Sequence, residues 1–341
     1  MDKNIHKLLL GFTSIILFFC IPAFALAQVG FEPIEEPLYV RVFPEFPRAN
    51  EDFSITIDSF SVDIDSAEIA WFENGILKEE GVGNVRYTGK TGALGSRTVV
   101  QIAVTARGTP QLQEEVVIVP GNVSLLWEAQ TYTPPFYLGK ALPSSQSEIK
   151  VVAKPSLVNP QTGAVPRDSD LIYTWYENDR VLGAHSGYGK NTITALAPLP
   201  GGRYSLGVKV TTASEAVSAY AETTILDYTP LVRFYEEDPL IGKMGGKALK
   251  SPYFVQTSEQ TIVAEPFFFS VARPENETLS YSWFINDEPL VISGGRPHAL
   301  TLAVGPDVTG EADVNLRIQN LGNIFQTLQD RITVYFGASS L

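Results

Sequence analysis

The same short pattern occurs three times along this chain of 341 residues: an aromatic strand that ends at Trp, followed three residues later by a tight turn. The tryptophans stand 104 and 108 residues apart, which is the length of one β-sandwich domain. After each Trp, Asn-Gly or Asn-Asp supplies residues that accept positive φ, as a two-residue hairpin turn requires. The pattern predicts three equivalent hairpins in three similar units. They are Ile69–Gly75 around Trp71, Tyr173–Asp179 around Trp175 and Tyr281–Asp287 around Trp283.

The segments that flank the hairpins recur in the same order, and the second and third units also share Gly-Lys-Ala-Leu at 139–142 and 246–249. Short runs of Val, Ile, Thr and Tyr are broken by 27 Gly and 23 Pro, and no helical period is visible, so the pattern favours an all-β fold. We therefore predict three tandem β-sandwich domains, named here repeat 1 (35–120), repeat 2 (121–228) and repeat 3 (229–336).

The motif aromatic-x-Trp-x-x-Asn-Gly/Asp, with Ile69 at the aromatic position of the first copy, resembles the immunoglobulin-like and PKD-like modules of bacterial surface proteins, including uncharacterised secreted ones. This resemblance implies seven-stranded, two-sheet modules that serve in adhesion or as spacers. It also implies that Trp71, Trp175 and Trp283 are the core tryptophans of the third strand. The cysteine pair of antibody-type domains is absent, so the resemblance is to disulfide-free members.

The N-terminus is typical of an exported protein. Lys3 and Lys7 precede an almost wholly apolar run, residues 8–24, and Ala25-Leu26-Ala27 forms a small-x-small cleavage site. Residues 1–27 are therefore predicted to be a signal peptide. Because the apolar run is long, an uncleaved anchor is the alternative. Either reading places the protein outside the cytoplasm, in the periplasm, at the cell surface or in the medium.

Cys20 is the only cysteine. Lipid attachment is not expected there, because Phe19 precedes it where a small residue is required. No cysteine follows the leader, so each domain must be stabilised by its own apolar core.

The chain carries a net charge of −13, which opposes binding to nucleic acid. We expect a protein partner in the cell envelope, with a glycan as the alternative. A membrane is expected to be contacted only through an uncleaved leader.

Two acidic clusters are weak candidates for a structural Ca²⁺ ion, which needs six to eight oxygen ligands. In the first, Asp63, Asp65 and Glu68 are closely spaced, but Ala67 stands where an EF-hand ligand is required. The second is 236–238. Ordinary turn and strand-flanking residues explain both clusters more simply, and no cofactor is predicted.

No motif points to catalysis. Gly89-Lys90-Thr91 resembles the end of a P-loop but lacks the earlier glycine and the helix that should follow. His185 and His298 have no metal-ligand partners at suitable spacing. We predict a non-enzymatic protein. An exported hydrolase is the least favoured alternative. It stays open because the spacing of paired catalytic carboxylates is set by the fold and not by the sequence.

The segment Trp127–Tyr137 combines four aromatic residues with Pro134-Pro135. The favoured interpretation is a joint in which these rings pack against the preceding repeat. The alternative is a carbohydrate-binding platform formed by Tyr132, Phe136 and Tyr137. An analogous aromatic segment, 234–239, opens repeat 3, which favours the joint.

The linkers between the repeats are very short, Pro120-Gly121 and 227–230. Such junctions leave little slack, so we predict a semi-rigid rod. The function predicted from sequence is an exported surface or periplasmic protein with adhesive or spacing modules.

Overall fold

The computed structural model describes residues 38–292, 294–305 and 308–337. The predicted signal peptide and Cys20 lie outside the described residues. Within them the regular structure is 24 strands and two single-turn 3-10 helices, Asp168–Asp170 and Gly183–His185. The predicted all-β fold is confirmed. None of the helices in the described ranges is long and apolar enough to cross a membrane.

Repeat 1 is a two-layer β-sandwich in which alternate residues point inward. In its second strand Phe53, Ile55 and Ile57 are buried while the residues between them are not, as a half-buried strand requires. The sheets have the orders β1-β2-β5 and β4-β3-β6-β7. The strands are β1 (Tyr39–Phe43), β2 (Asp52–Asp58), β3 (Glu68–Glu73), β4 (Ile76–Val82), β5 (Arg86–Lys90), β6 (Thr98–Thr105) and β7 (Leu112–Ile118).

Repeat 2 has the same strand order with one short addition. Its sheets are β13-β9-β8 and β11-β10-β14-β15, and β12 also pairs with β10. The strands are β8 (Asn122–Ala129), β9 (Glu148–Ser156), β10 (Leu171–Glu177), β11 (Arg180–Val181), β12 (Gly187–Tyr188), β13 (Thr192–Leu196), β14 (Arg203–Thr212) and β15 (Ser218–Leu226).

Repeat 3 extends this plan at both sheets. Its sheets are β17-β16-β19-β22 and β18-β24-β23-β20-β21, in which β18 is parallel to β24. The strands are β16 (Leu231–Asp238), β17 (Gly242–Lys243), β18 (Tyr253–Phe254), β19 (Glu259–Phe267), β20 (Leu279–Ile285), β21 (Glu288–Leu290), β22 (Ala299–Ala303), β23 (Gly310–Asn320) and β24 (Thr327–Phe336).

The strand order differs in one respect from a constant-type immunoglobulin domain, in which the fourth strand joins the sheet of the first. In repeat 1, β4 instead pairs with β3 in the opposite sheet. The reason is the tight Asn-Gly turn, which returns the chain directly alongside the strand it has just left.

Each pair of sheets encloses its own cluster of buried apolar side chains. One cluster contains Trp71, the next Trp175 and the last Trp283. Among the described residues, every strand pairs only with strands of its own repeat.

Strand direction defines two ends of each sandwich. We call the end where the first strand begins the leading end, and the opposite end the trailing end. The first strand runs towards the trailing end, so the loop between the first and second strands lies there, beside the following repeat. The loop between the second and third strands lies at the leading end.

Candidate functional site

The three tryptophans occupy the same place in the three sandwiches. Trp71, Trp175 and Trp283 lie in β3, β10 and β20, the third strand of each repeat, and their exposed fractions are 0%, 0% and 1%. Each indole nitrogen donates a hydrogen bond to a backbone carbonyl 13 to 15 residues later. The acceptors are Asn84, Lys190 and Pro297, at 2.8, 2.9 and 2.9 Å.

The asparagine three residues after each tryptophan stabilises the turn in two ways. Asn74, Asn178 and Asn286 have φ values of 51°, 46° and 49°, in the left-handed region that Asn tolerates. Each side-chain oxygen also accepts a hydrogen bond from a backbone N–H near the start of a neighbouring strand in the same sheet, at 3.0, 2.9 and 2.9 Å. The motif therefore ties the hairpin to its sheet, a role for the Asn side chain that the turn pattern alone does not reveal.

The first acidic cluster forms a turn at the leading end of repeat 1. Asp63 accepts a hydrogen bond from the Ser66 hydroxyl at 2.7 Å, and Asp63, Asp65 and Glu68 are all exposed. In the part of the chain that the structure describes, no three His, Cys, Asp or Glu side chains are grouped as a metal site would need.

The second acidic cluster is engaged in contacts within repeat 3. Glu237 forms a two-point ion pair with Arg296, with both N–O distances 2.8 Å. Asp238 accepts the backbone N–H groups of Leu240 and Ile241, at 2.8 and 2.9 Å, and so fixes the turn after β16.

The aromatic segment of repeat 2 lies at the junction with repeat 3. Phe136 packs edge-on against Tyr235, at 5.1 Å between ring centroids, and Tyr137 packs against Phe267 at 5.5 Å. Tyr132, Phe136 and Tyr137 are all half-buried. The expectation that these rings pack against the preceding repeat is wrong. The segment begins in the last residues of the first strand of its sandwich and continues into the loop after it. Strand direction therefore places it at the trailing end, beside the following repeat.

Backbone hydrogen bonds link the two repeats at this junction. Tyr132 donates its N–H to the carbonyl of Phe269 and accepts the N–H of Phe268, both at 2.7 Å. Phe268 has a φ of 67°, which is strained for a bulky residue. Its carbonyl accepts the Ser144 hydroxyl at 2.6 Å. Partners in repeat 2 therefore hold both polar groups of this residue.

Gln326 is the centre of a buried polar network in the same junction. Its side-chain nitrogen donates to the hydroxyls of Ser144 and Ser270 at 2.8 and 2.7 Å, and to the carbonyl of Ser145 at 3.3 Å. Its side-chain oxygen accepts from Asn320 at 2.8 Å. Buried amides with every polar atom paired favour one arrangement of the surrounding elements.

A charged group is also buried at this junction. Glu265 is 1% exposed, contacts the Lys243 ammonium and accepts the Tyr132 hydroxyl at 2.9 Å. Burial, with the nearby Glu275 carboxylate, raises the pKa of Tyr132 to about 12, so this hydroxyl remains protonated and can donate.

His298 lies in the interior of repeat 3 beside the same charged groups. It is 4% exposed, and its Nε2 is 3.4 Å from Glu275. Burial lowers the pKa of His298, and the charges of Arg296 and Lys243 act in the same direction against the opposing carboxylates of Glu275 and Glu237. The imidazole is therefore neutral near pH 7. His185, the second histidine among the described residues, lies in an exposed 3-10 turn of repeat 2.

The junction between repeats 1 and 2 is made mostly by apolar contact. Phe46 lies 6.2 Å from Tyr220, and the Lys209 ammonium lies 5.1 Å from the Phe46 ring centroid. Among the described residues a single hydrogen bond spans the linker, from Gly121 N–H to the Pro47 carbonyl at 3.3 Å. Phe46, Tyr176 and Tyr220 line an open cleft of about 780 Å³ there.

Sequence reasoning missed the residues that hold repeats 2 and 3 together. Ser144, Glu265 and Gln326 have ordinary local surroundings, and their partners across the junction lie more than 100 residues away in the sequence. A weak signal existed in the aromatic and Pro-rich loop itself, which marked the position of the junction but not its partner.

No family model and no curated protein matches the sequence. Several solved structures are similar. The fibronectin(III)-like modules of Clostridium thermocellum CbhA are 10% identical, with 55% of this chain and 94% of theirs aligned and a TM-score of 0.26. The three N-terminal domains of the bacteriophage RB49 Highly Immunogenic Outer Capsid protein are 14% identical, with 89% and 99% aligned and a TM-score of 0.24.

The central fibronectin-III array of RIM-binding protein is 13% identical, with 89% of this chain and 98% of that chain aligned and a TM-score of 0.30. At such identities and TM-scores no function follows from these similarities. The sandwich architecture of this protein is established by its own strand pairings and its buried clusters.

Proposed function

We propose that this chain is an exported, non-enzymatic protein of the cell envelope, whose sandwiches act as spacers and as modules for protein interaction. The leader-like N-terminus supports export. The observation that carries the spacer role is the junction between repeats 2 and 3, where backbone, aromatic and buried polar contacts join two sandwiches. A module that holds its neighbour in a fixed relation can set a distance between two sites.

The short linkers support the same role. Three residues separate β7 from β8, and four separate β15 from β16. At Gly121 a side chain would have no room, because a Cβ built there would lie 2.7 Å from Leu157 Cδ2 and 3.0 Å from the Ser218 carbonyl. The linker is thus packed against repeat 2 and provides little free chain.

Small-angle scattering tests the spacer role. We expect a particle with the maximum dimension of three sandwiches in series, unchanged between low and high salt. A double variant, Ser144→Ala with Gln326→Ala, should broaden the distance distribution, and Ser124→Ala on an exposed strand position of repeat 2 serves as the matched control. A compact wild-type particle, or a double variant that scatters like the wild type, would argue against a fixed spacer.

Cell fractionation tests export separately. A tagged full-length chain should be recovered outside the cytoplasm of a bacterial host, and replacing Leu9 and Ile15 with Lys in the leader should retain it inside. Recovery of the unaltered chain only in the cytoplasm would contradict the envelope assignment.

Glycan binding by Tyr132, Phe136 and Tyr137 stays a prediction. These rings contact repeat 3, so a glycan would have to stack on ring surface that this junction leaves uncovered.

A further inference from the structure

Two adjoining clefts cross the junction between repeats 1 and 2. One is the cleft of about 780 Å³ that Phe46, Tyr176 and Tyr220 line. The other, of about 810 Å³, lies on the outer face of the sheet β1-β2-β5 of repeat 1. Pro44 and Glu51 line both clefts, so the two are in contact. We call the two clefts together the junction groove.

Four aromatic rings are spaced along the junction groove. Phe43, on repeat 1, is 77% exposed and lines the second cleft. Phe46 and Tyr176 each lie 6.2 Å from Tyr220, between ring centroids. Tyr220 passes over Gly207, where a Cβ would lie only 2.4 Å from the phenol oxygen. The absence of a side chain at Gly207 therefore lets the Tyr220 ring lie across the outer face of its sheet.

The charged side chains that line the junction groove nearly balance. Five are acidic and four are basic, although the whole chain carries a net charge of −13. Within the part of the chain that the structure describes, none of these nine side chains is in an ion pair. Their carboxylate, guanidinium and ammonium groups are therefore available to accept and donate hydrogen bonds to a ligand.

The junction groove lies on sheet faces rather than at a sheet edge. Its floor includes residues of β2 and β14, and each of these strands pairs with a strand on either side. A peptide that binds as an added strand needs a free sheet edge. A sugar chain needs side chains instead, because its hydroxyl groups pair with charged groups and the apolar faces of its rings stack on aromatic rings. The groove therefore fits a sugar chain better than a peptide.

The charge and the extent of the junction groove narrow the class of sugar. A polyanionic or polycationic chain would meet nearly as many repelling groups as attracting ones, so the balanced charges favour a neutral chain. Phe43 and Tyr176 lie on different repeats, so a ligand that stacks on both must contain several sugar units.

We propose that the junction groove binds a neutral oligosaccharide or polysaccharide chain, which stacks on Phe43, Phe46, Tyr176 and Tyr220. This site is separate from the aromatic rings at the second junction, and it adds a ligand to the spacer role. Because the bound chain contacts both repeats, it fixes the orientation of repeat 1 relative to repeat 2.

Calorimetric titration of the full chain with cellohexaose, mannohexaose and xylohexaose tests this inference, with a galacturonate hexamer as the charged comparison. At least one neutral hexasaccharide should bind, and more tightly than the galacturonate hexamer. Phe43→Ala and Tyr176→Ala should each weaken binding by about three- to tenfold, as expected for the loss of one aromatic contact. Tyr188→Ala, at an exposed ring of β12 outside the groove, should bind as the wild type does.

Spin-label distances give a second readout that a single-repeat site would not change. In the Cys20→Ser background, labels at Arg41→Cys and Lys150→Cys span the first junction. The hexasaccharide that binds should narrow the distance distribution between these labels. Unchanged thermal transitions in Phe43→Ala and Tyr176→Ala would show that weaker binding does not come from unfolding.

Three results overturn the proposal. They are no binding of any of the neutral hexasaccharides, binding that neither Phe43→Ala nor Tyr176→Ala weakens, and tighter binding of the galacturonate hexamer. Loss of binding in Tyr137→Ala but in neither groove variant would place the site at the second junction instead. None of these results bears on the spacer role, which small-angle scattering tests separately.

Discussion

The two junctions of this protein join sandwiches of the same design by different means. Between repeats 1 and 2, Phe46 packs against Tyr220, and the linker contributes a single backbone hydrogen bond among the described residues. Between repeats 2 and 3, strand-like backbone pairing, aromatic packing, the network around Gln326 and the buried Glu265 act together.

The difference arises from the length of one loop. In repeat 1 the loop between the first two strands spans residues 44–51, and in repeat 2 the equivalent loop spans 130–147. Only the longer loop can carry enough aromatic and polar groups to cover the next sandwich. We therefore expect repeats 2 and 3 to unfold as one unit and repeat 1 to unfold independently.

The largest expected effect is the loss of a core tryptophan. Trp283→Ala should cost about 3–5 kcal/mol, because it leaves a large cavity and removes the indole hydrogen bond. In calorimetry the transition shared by repeats 2 and 3 should move to lower temperature, while that of repeat 1 stays in place. Trp71→Ala is the matched control and should move only the transition of repeat 1. If repeat 2 of the Trp283→Ala variant still unfolds at the wild-type temperature, repeats 2 and 3 unfold independently and the prediction is contradicted.

The next effect is at Gln326. Gln326→Ala leaves Ser144, Ser270 and Asn320 without their buried partner, at a cost of about 1–3 kcal/mol. We expect the shared transition to fall and to split into two, which calorimetry would detect. Gln319→Ala, at a half-buried position of β23, is the control. An unsplit transition after loss of Gln326 would show that the aromatic contacts alone couple the two repeats.

The pH dependence of stability should also distinguish repeats 2 and 3, which contain His298, from repeat 1. Since burial lowers the pKa of His298 below its usual value of 6.5, the unfolded state binds more protons once pH falls below about 6.5. The stability from the neutral imidazole is present above that pH and is lost as pH falls towards the folded-state pKa.

The transition of repeats 2 and 3 should therefore drop on acidification from pH 7 to 5 by more in the wild type than in His298→Gln. His185→Gln, at an exposed position, should retain the full wild-type pH dependence. If His298→Gln and the wild type lose stability equally on acidification, protonation of His298 is not the cause of the pH dependence.

The smallest effect is expected at the first junction. Phe46→Ala removes the contacts of this half-buried ring with Tyr220 and the Lys209 ammonium, which together contribute about 1 kcal/mol. Transition temperatures should hardly change, while scattering should show a wider range of orientations of repeat 1. Phe43→Ala, at an exposed ring of β1, is the control. A clear fall in the transition of repeat 2 would show tighter coupling at this junction than its contacts indicate.

The sequence was sufficient to predict those parts of the fold that depend on a few neighbouring residues. Alternation of apolar residues and the Asn turns predicted the strands and the hairpins, because side-chain period and positive φ are properties of a few consecutive residues. The three tryptophans stood out for the same reason.

The sequence was insufficient where contacts join distant parts of the chain. Gln326 looks like any polar turn residue, and its role depends on Ser144, 182 positions away. The aromatic loop was recognised, but its partner was assigned to the wrong neighbour. Its direction follows from strand topology, which puts the loop at the trailing end. Asp63, Asp65 and Glu68 illustrate the opposite case, because close spacing in sequence did not produce a grouped set of ligands.

The most direct test of this account compares the two junctions in one experiment, by measuring distances between paired spin labels. With Cys20→Ser as background, labels at Lys150→Cys and Glu259→Cys span the second junction, and labels at Arg41→Cys and Lys150→Cys span the first. All three positions are exposed on strands. We predict a narrow distance distribution across the second junction and a broader one across the first. A distribution across the second junction as broad as that across the first would contradict the conclusion that repeats 2 and 3 form one unit.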